Sequence, residues 1–367
     1  MKKQWREGLL AGLWVLSVGG CKVSDPDLSP YESGAYIINA GSSFDNNGSI
    51  SFLPRNSTTA STDIFNAAND RSLTGRAQDY TEIDGKGVVL VDNSATGQDK
   101  IEIVESSTFK SLATIQAPDV INPRAVVAAG PNKAYVSCWD ATGDFSNVYI
   151  NPGYILVLDL ASRTVVKKII LTKGADRMVL VGSEVYVGSV GGERTLAVID
   201  TETDELRQPG IDVGVNTNPV AIDANGRLWA YAASAKEMVR INTATKAVDV
   251  RIKVGNPARS LSSIALSQDR QTFYFVNSFI DQNDNLREKG ELYSFKITDT
   301  AIPATTPIVA RFFSGLGVDP QTGYLYAGVT PSSRQAGRVL RYRPNGSSVV
   351  LVDSAQAEIA PSRFFFR

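Results

Sequence analysis

Histidine is missing: none occurs among the 367 residues. Its absence removes the commonest general base, the usual activator of a serine or cysteine nucleophile and the commonest zinc ligand. Ser-His-Asp and Cys-His catalysis are therefore excluded. Cysteine is nearly missing as well, and the two present, Cys21 and Cys138, stand in contexts too different to suggest a disulfide. Cys138 falls in the strand-like run Ala134-Tyr135-Val136-Ser137-Cys138-Trp139 and reads as a small buried residue. An excess of charge of either sign is lacking too. Lys and Arg number 37 against 38 Asp and Glu, a formal net charge of -1. Such a balance gives no general attraction to nucleic acid or anionic lipid, and no nucleic-acid partner is expected.

What is present is an ordinary globular composition, 43% hydrophobic and 20% charged, with ample apolar material for a core. The start reads as an export signal. Lys2, Lys3 and Arg6 precede an apolar stretch over residues 8–18, which is too short to span a bilayer. It ends in Val18-Gly19-Gly20-Cys21, which resembles the bacterial lipobox. That resemblance implies cleavage before Cys21 and lipidation of its thiol. Several acyl chains, at about 0.8 kcal/mol per buried methylene, anchor firmly. Residues 22–33, with Pro26, Pro30, Asp25 and Asp27, read as a flexible tether. The expected organisation is a signal peptide over 1–20, a lipidated cysteine and tether over 21–33, and one domain over 34–367.

A repeat runs through that domain. A strand opening on an aromatic recurs at Tyr36, Tyr135, Tyr186, Trp229, Tyr274 and Tyr326, and a seventh copy has Val89 in the aromatic place. The seven positions are spaced by 53, 46, 51, 43, 45 and 52 residues. That is close to the roughly 40–50 residues of a four-stranded propeller blade. A second apolar strand follows each copy, as in Ile155-Leu156-Val157-Leu158 and Leu196-Ala197-Val198-Ile199. Several then turn on an acid or amide (Glu105, Asp159, Asp200, Asn242), whose side chains start turns. Six copies are preceded by a run suited to an innermost strand; the first is not. The missing run stands at the other end, where Pro361-Ser362-Arg363-Phe364-Phe365-Phe366 parallels Asn122-Pro123-Arg124-Ala125-Val126-Val127. The expected fold is all-β: a seven-bladed propeller of four-stranded blades, closed by the C-terminal strand completing the first blade. Closure hides an otherwise open edge.

These motifs make the chain similar to the YncE-like β-propellers. The likeness rests on the repeated Tyr-Val strand, on Val198-Ile199-Asp200-Thr201 and on Asn-Pro ahead of inner strands (Asn122-Pro123, Asn218-Pro219, Asn256-Pro257). The opening Gly34-Ala35-Tyr36-Ile37-Ile38-Asn39-Ala40-Gly41, soon after Cys21, resembles one lipoprotein branch more narrowly. That branch accompanies TonB-dependent outer-membrane transport and includes surface proteins that capture cobalamin. The resemblance implies a non-catalytic protein anchored to the outer membrane of a Gram-negative bacterium, surface-facing rather than periplasm-facing. It also implies a small-molecule ligand, anionic or corrinoid-like, and a TonB-dependent transporter as partner.

In a propeller, the loops leading into inner strands share one face with the loops joining second and third strands. Arginines recur at the former: Arg124, Arg177, Arg259, Arg311 and Arg363. Converging, they would form a fork-donor ring for phosphate or carboxylate. The alternative is that each pairs with a neighbouring acid such as Asp79, Asp140, Asp176 or Asp223. Two long loops carry Trp139, Asp140, Phe145 and Tyr149, and Phe279, Asp281, Asp284 and Arg287. They either bind or merely cover the face. Asp281-Gln282-Asn283-Asp284-Asn285 lacks the glycine and glutamate of a calcium loop. The glycine-rich stretch 188–193 lacks the helix of a phosphate cradle. No cofactor and no metal is expected. Binding is the leading function. Carboxylate or metal chemistry through Asp79, Glu82, Asp140 and Asp223, and an envelope scaffold, are the alternatives.

Overall fold

The computed structural model describes residues 29–141 and 146–367, so the signal peptide, Cys21 and Phe145 lie outside the described residues. The rest is a seven-bladed β-propeller of antiparallel sheets. Six blades run outward from the channel in chain order, as the repeat predicts, and the first takes its innermost strand from the C-terminus. Blade 3 shows the plan: an innermost strand Pro123–Gly130, a second Lys133–Cys138, a third Tyr154–Asp159 and an outer Thr164–Ile170. Five blades have four full strands. In blade 1 the outer place is taken by Ser61, bridged to Phe52, and in blade 6 by Val309, bridged to Leu292.

The periodicity explains why the second and third strands are the core. Alternate side chains of a strand point to opposite faces, and in a propeller both faces pack against a neighbouring blade. Both faces must then be apolar, and Val88, Val89, Leu90 and Val91 are all fully buried. The recurrent aromatic does more than fill space. Tyr135 of blade 3 donates its hydroxyl to Asp204, in the outer turn of blade 4, where Lys133 also pairs at 2.8 Å. Tyr36 of blade 1 donates to the Ser106 carbonyl of blade 2 at 3.0 Å. At Tyr326 of blade 7 the link runs through Arg341, whose guanidinium donates to the Arg55 and Ser57 carbonyls of blade 1 at 2.7 and 2.8 Å. The aromatic ring seals the contact between blades, and its polar tip, or the arginine beside it, ties the far rim together.

Closure is as the sequence predicts. Pro361–Phe366 pairs antiparallel with Gly34–Asn39, with Phe364 opposite Ile37 and Phe366 opposite Ala35. Phe364 and Phe366 pack on Tyr326 of blade 7, and Phe365 packs on Tyr80 of blade 2. The closing strand thereby touches both neighbours of blade 1. Segment 29–33, read as tether, is already docked: Tyr31 packs edge-on against Phe52 at 5.3 Å, and Arg367 donates to its carbonyl. The short helix Ile64–Asn69, which the sequence pattern does not signal, buries Ile64 and Phe65 beneath blades 1 and 2.

One irregularity repeats. Six of the seven innermost strands carry an extra residue near the channel-mouth end, a β-bulge. The bulged positions are Gln78, Arg124, 176–177, Val220, Ser262 and Ser362. Prolines 123, 219 and 361 sit beside three of them. Proline is tolerated there because the innermost strand is an edge facing the channel. Deleting residues 361–367 is expected to lower the melting temperature by about 10 °C or more, since several kcal/mol are lost at roughly 2–4 °C each. Differential scanning calorimetry checks this, and an unchanged melt would contradict closure.

Candidate functional site at the channel mouth

A bulge breaks the strict alternation of a strand and re-aims the side chains around it. Repeated around the ring, it builds the mouth of the channel. There a cavity of about 350 Å³ is lined by Asp176, Arg177, Asn218, Ser262, Ser362 and Arg363, drawn from blades 4, 5, 6 and 1. Asn218 shapes it. Its side chain donates to Asp176 Oδ2 at 2.9 Å and accepts the Arg177 backbone N–H at 3.1 Å. Asn218 comes so near that a Cβ on Gly188 would lie 2.1 Å from its Oδ1, so position 188 needs glycine.

The two arginines differ in their partners. Arg363 Nη1 pairs with Asp79 Oδ2 at 2.8 Å, and the same oxygen accepts the Val126 N–H at 3.1 Å. Arg177 makes no side-chain ion pair within 4 Å among the described residues, because Asp176 is turned toward Asn218 instead. The Arg177 side chain is exposed to the channel. Repulsion from Arg363, then burial, pushes Arg177 down to about 10, against the pull of Asp176 and Asp79. Two like charges thus share one mouth, and among the described residues nothing accepts from the five donors of the Arg177 guanidinium. Such an arrangement suits a carboxylate or phosphate held by both forks.

The other residues singled out by the sequence divide. Arg124 is held rigidly, with Nη1 on Asp92 at 3.0 Å, Nη2 on Asn122 at 2.8 Å, and Cζ 3.6 Å from the centre of the Trp139 ring. Tyr149 meets Trp139 edge-on at 5.1 Å, so the long loop of blade 3 leans over this pair. Arg259 pairs with Glu291 and lies 4.8 Å over Phe279. Arg311 is exposed on the connection before blade 7 and does not line the cavity. Asp140, half-buried with φ 54°, begins the blade 3 loop. Of the five arginines, only Arg177 and Arg363 line the cavity. Arg124, Arg259 and Arg363 all follow the ion-pair alternative, Arg363 with the expected Asp79 and the other two with Asp92 and Glu291 instead.

The carboxylates weighed for catalysis do not share a site. Asp79 is paired with Arg363. Asp223, fully buried at the far end of its strand, accepts the N–H groups of Asn225 and Arg227 and the Trp229 indole at 2.8–2.9 Å. Glu82, also at a far end, accepts the Ser106 hydroxyl. Among the described residues, no three of His, Cys, Asp and Glu converge as a metal site. At the calcium-like stretch, the Lys289 ammonium stands between Asp281 and Asp284 at 2.9 and 2.8 Å, where a cation would sit. Asn218 and Ser262 lie outside the residues expected from sequence. The Asn-Pro ahead of the inner strand is the one signal that pointed to Asn218.

The chain matches the family described as "Domain of unknown function (DUF5074)" over residues 33–367. No curated protein matches it. Among solved structures it resembles a quinoprotein alcohol dehydrogenase-like protein from Bacteroides thetaiotaomicron, at 15% identity and TM-score 0.64, covering 92% of this chain and 78% of that one. It also resembles a protein from Lactobacillus plantarum, at 11% identity and TM-score 0.61, with coverage of 92% and 100%. Hydrazine synthase of Kuenenia stuttgartiensis follows at 16% identity and TM-score 0.55, with coverage of 78% and 88%. At these identities the likeness is one of fold.

The repulsion at the mouth makes a prediction about stability. Arg177→Gln removes one of two facing charges and leaves intact the Asn218 bonds to the residue 177 backbone N–H and to the Asp176 carboxylate. In low-salt buffer free of multivalent anions its melting temperature is expected to rise. Added salt should shrink the difference through screening. A fall in melting temperature would contradict the repulsion.

Proposed function

We propose that this chain, which belongs to the DUF5074 family, is a non-catalytic binding protein that holds an anionic small molecule at the channel mouth. The observation that carries the reading is the uncommitted Arg177 guanidinium facing the same cavity as Arg363. A group kept charged beside a like charge, with no carboxylate among the described residues turned to it, destabilises the empty protein, and natural sequences retain such positions where a ligand repays them. A bound anion relieves the repulsion and fills the donors at once.

In this reading the lipobox-like Val18-Gly19-Gly20-Cys21 anchors the propeller to the outer membrane. The rigid ring presents the mouth away from the bilayer, where a TonB-dependent transporter receives the ligand. The YncE-like resemblance adds a corrinoid as one ligand class. A ligand of that bulk lies across the face, over the loops carrying Trp139, Tyr149 and Phe279, with an anionic group at the arginines.

Isothermal titration with inorganic phosphate and small carboxylates tests the site. Arg177→Ala is expected to weaken binding at least tenfold, as loss of a charge-assisted pair implies. Arg363→Lys, which keeps Asp79 paired, should weaken it less, and Arg124→Ala should leave affinity within about threefold. Affinity indifferent to Arg177→Ala would overturn the reading. For the anchor, Cys21→Ser is expected to abolish incorporation of labelled palmitate and to release the protein from membranes. Unchanged labelling would remove the anchor from the account.

A further inference from the structure

We propose that the ligand at the mouth is a head-and-tail molecule: a carboxylate or phosphate head on an apolar chain, the head at Arg177 and Arg363 and the chain directed into the throat. This rests on the anion-binding reading above and narrows it.

The order of residues along the inner strands carries the inference. All innermost strands run from the mouth toward the opposite face. On two successive ones polar lining residues precede an apolar one, Arg177 before Met178 and Asn218 before Val220, and on the next Ser262 and Ser263 stand between Leu261 at the mouth and Ile264 deeper. Leu316 of blade 7 joins the same lower tier. Blades 4, 5 and 6 therefore place polar side chains nearer the mouth than the apolar tier of Met178, Val220, Ile264 and Leu316, all lining one cavity. Met178, Val220 and Ile264 are not sealed in the core; each is partly exposed to that cavity. Apolar surface facing confined water is a standing penalty that an apolar chain removes. A polyhydroxylated anion such as a sugar phosphate would instead place hydroxyls against side chains that offer no hydrogen bond.

Size agrees. A cavity of about 350 Å³ holds about a dozen waters at roughly 30 Å³ each. That suits an anion with a chain of several methylenes.

The full chain is titrated calorimetrically with butanoate, hexanoate, octanoate and 1-octanol. Each added methylene buried in the throat is expected to tighten binding about fourfold, the equivalent of about 0.8 kcal/mol. Octanoate should then bind at least thirtyfold more tightly than butanoate. Octanol, which has the tail without the charge, should bind at least tenfold more weakly than octanoate. Ile264→Ser should lower the octanoate affinity and leave butanoate unchanged, and Val220→Thr gives a milder second probe should the first fold poorly. If butanoate and octanoate bind alike, the tail inference fails while the anion reading stands. If octanoate and octanol bind alike, or if no carboxylate binds at millimolar concentration, both fail.

Discussion

The pairing of Pro361–Phe366 with Gly34–Asn39 is the contact on which the rest of the molecule depends. It joins the two ends of a chain whose other blades contact only their neighbours, it covers the edge that Gly34–Asn39 would otherwise leave open in the first blade, and it closes a row of sheets into a ring. It also makes the site. Arg363 is carried on the closing strand, and without closure it would not face Arg177, nearly two hundred positions earlier. The proposed binding at the mouth is therefore linked to the integrity of the ring: a ligand held by both arginines would stabilise the closed state by mass action.

The two ends of the channel serve different physics. At the far rim, charges and phenols are spent on structure, as in the Tyr135–Lys133–Asp204 cluster and the Asp223 carboxylate that accepts three N–H groups. At the mouth, Arg177 is left unspent. The contrast singles out the mouth as the proposed binding face without reference to any relative. Arg124 shows the same economy from the other side: stacked on Trp139 and paired with Asp92, it is positioned but occupied.

The fold was legible because its signals are local and repeated. Six of the seven blades announce themselves by an aromatic followed by strand residues apolar on both faces, blade 2 has Val89 in its place, and the unpaired first copy required a partner from the end of the chain. The site was legible only in part. Arginine at the start of inner strands was visible, but which of them would be free depended on the bulges. A bulge is one extra residue whose place is fixed by the partner strand, so it leaves little trace in the sequence of its own strand. Asp92 and Glu291, the acids that occupy Arg124 and Arg259, lie 32 positions away from each, on other strands. Asn218, which turns Asp176 away from Arg177, belongs to the next blade. These are register facts, settled by packing.

The central claim is that one anion bridges Arg177 and Arg363 at the mouth. The most direct measurement is a crystal structure grown with selenate, read by the anomalous signal of selenium. The account predicts a peak within hydrogen-bonding distance of both guanidiniums, with the Arg363–Asp79 pair retained. A mouth without selenate, with Arg177 swung onto Asp176, would contradict it.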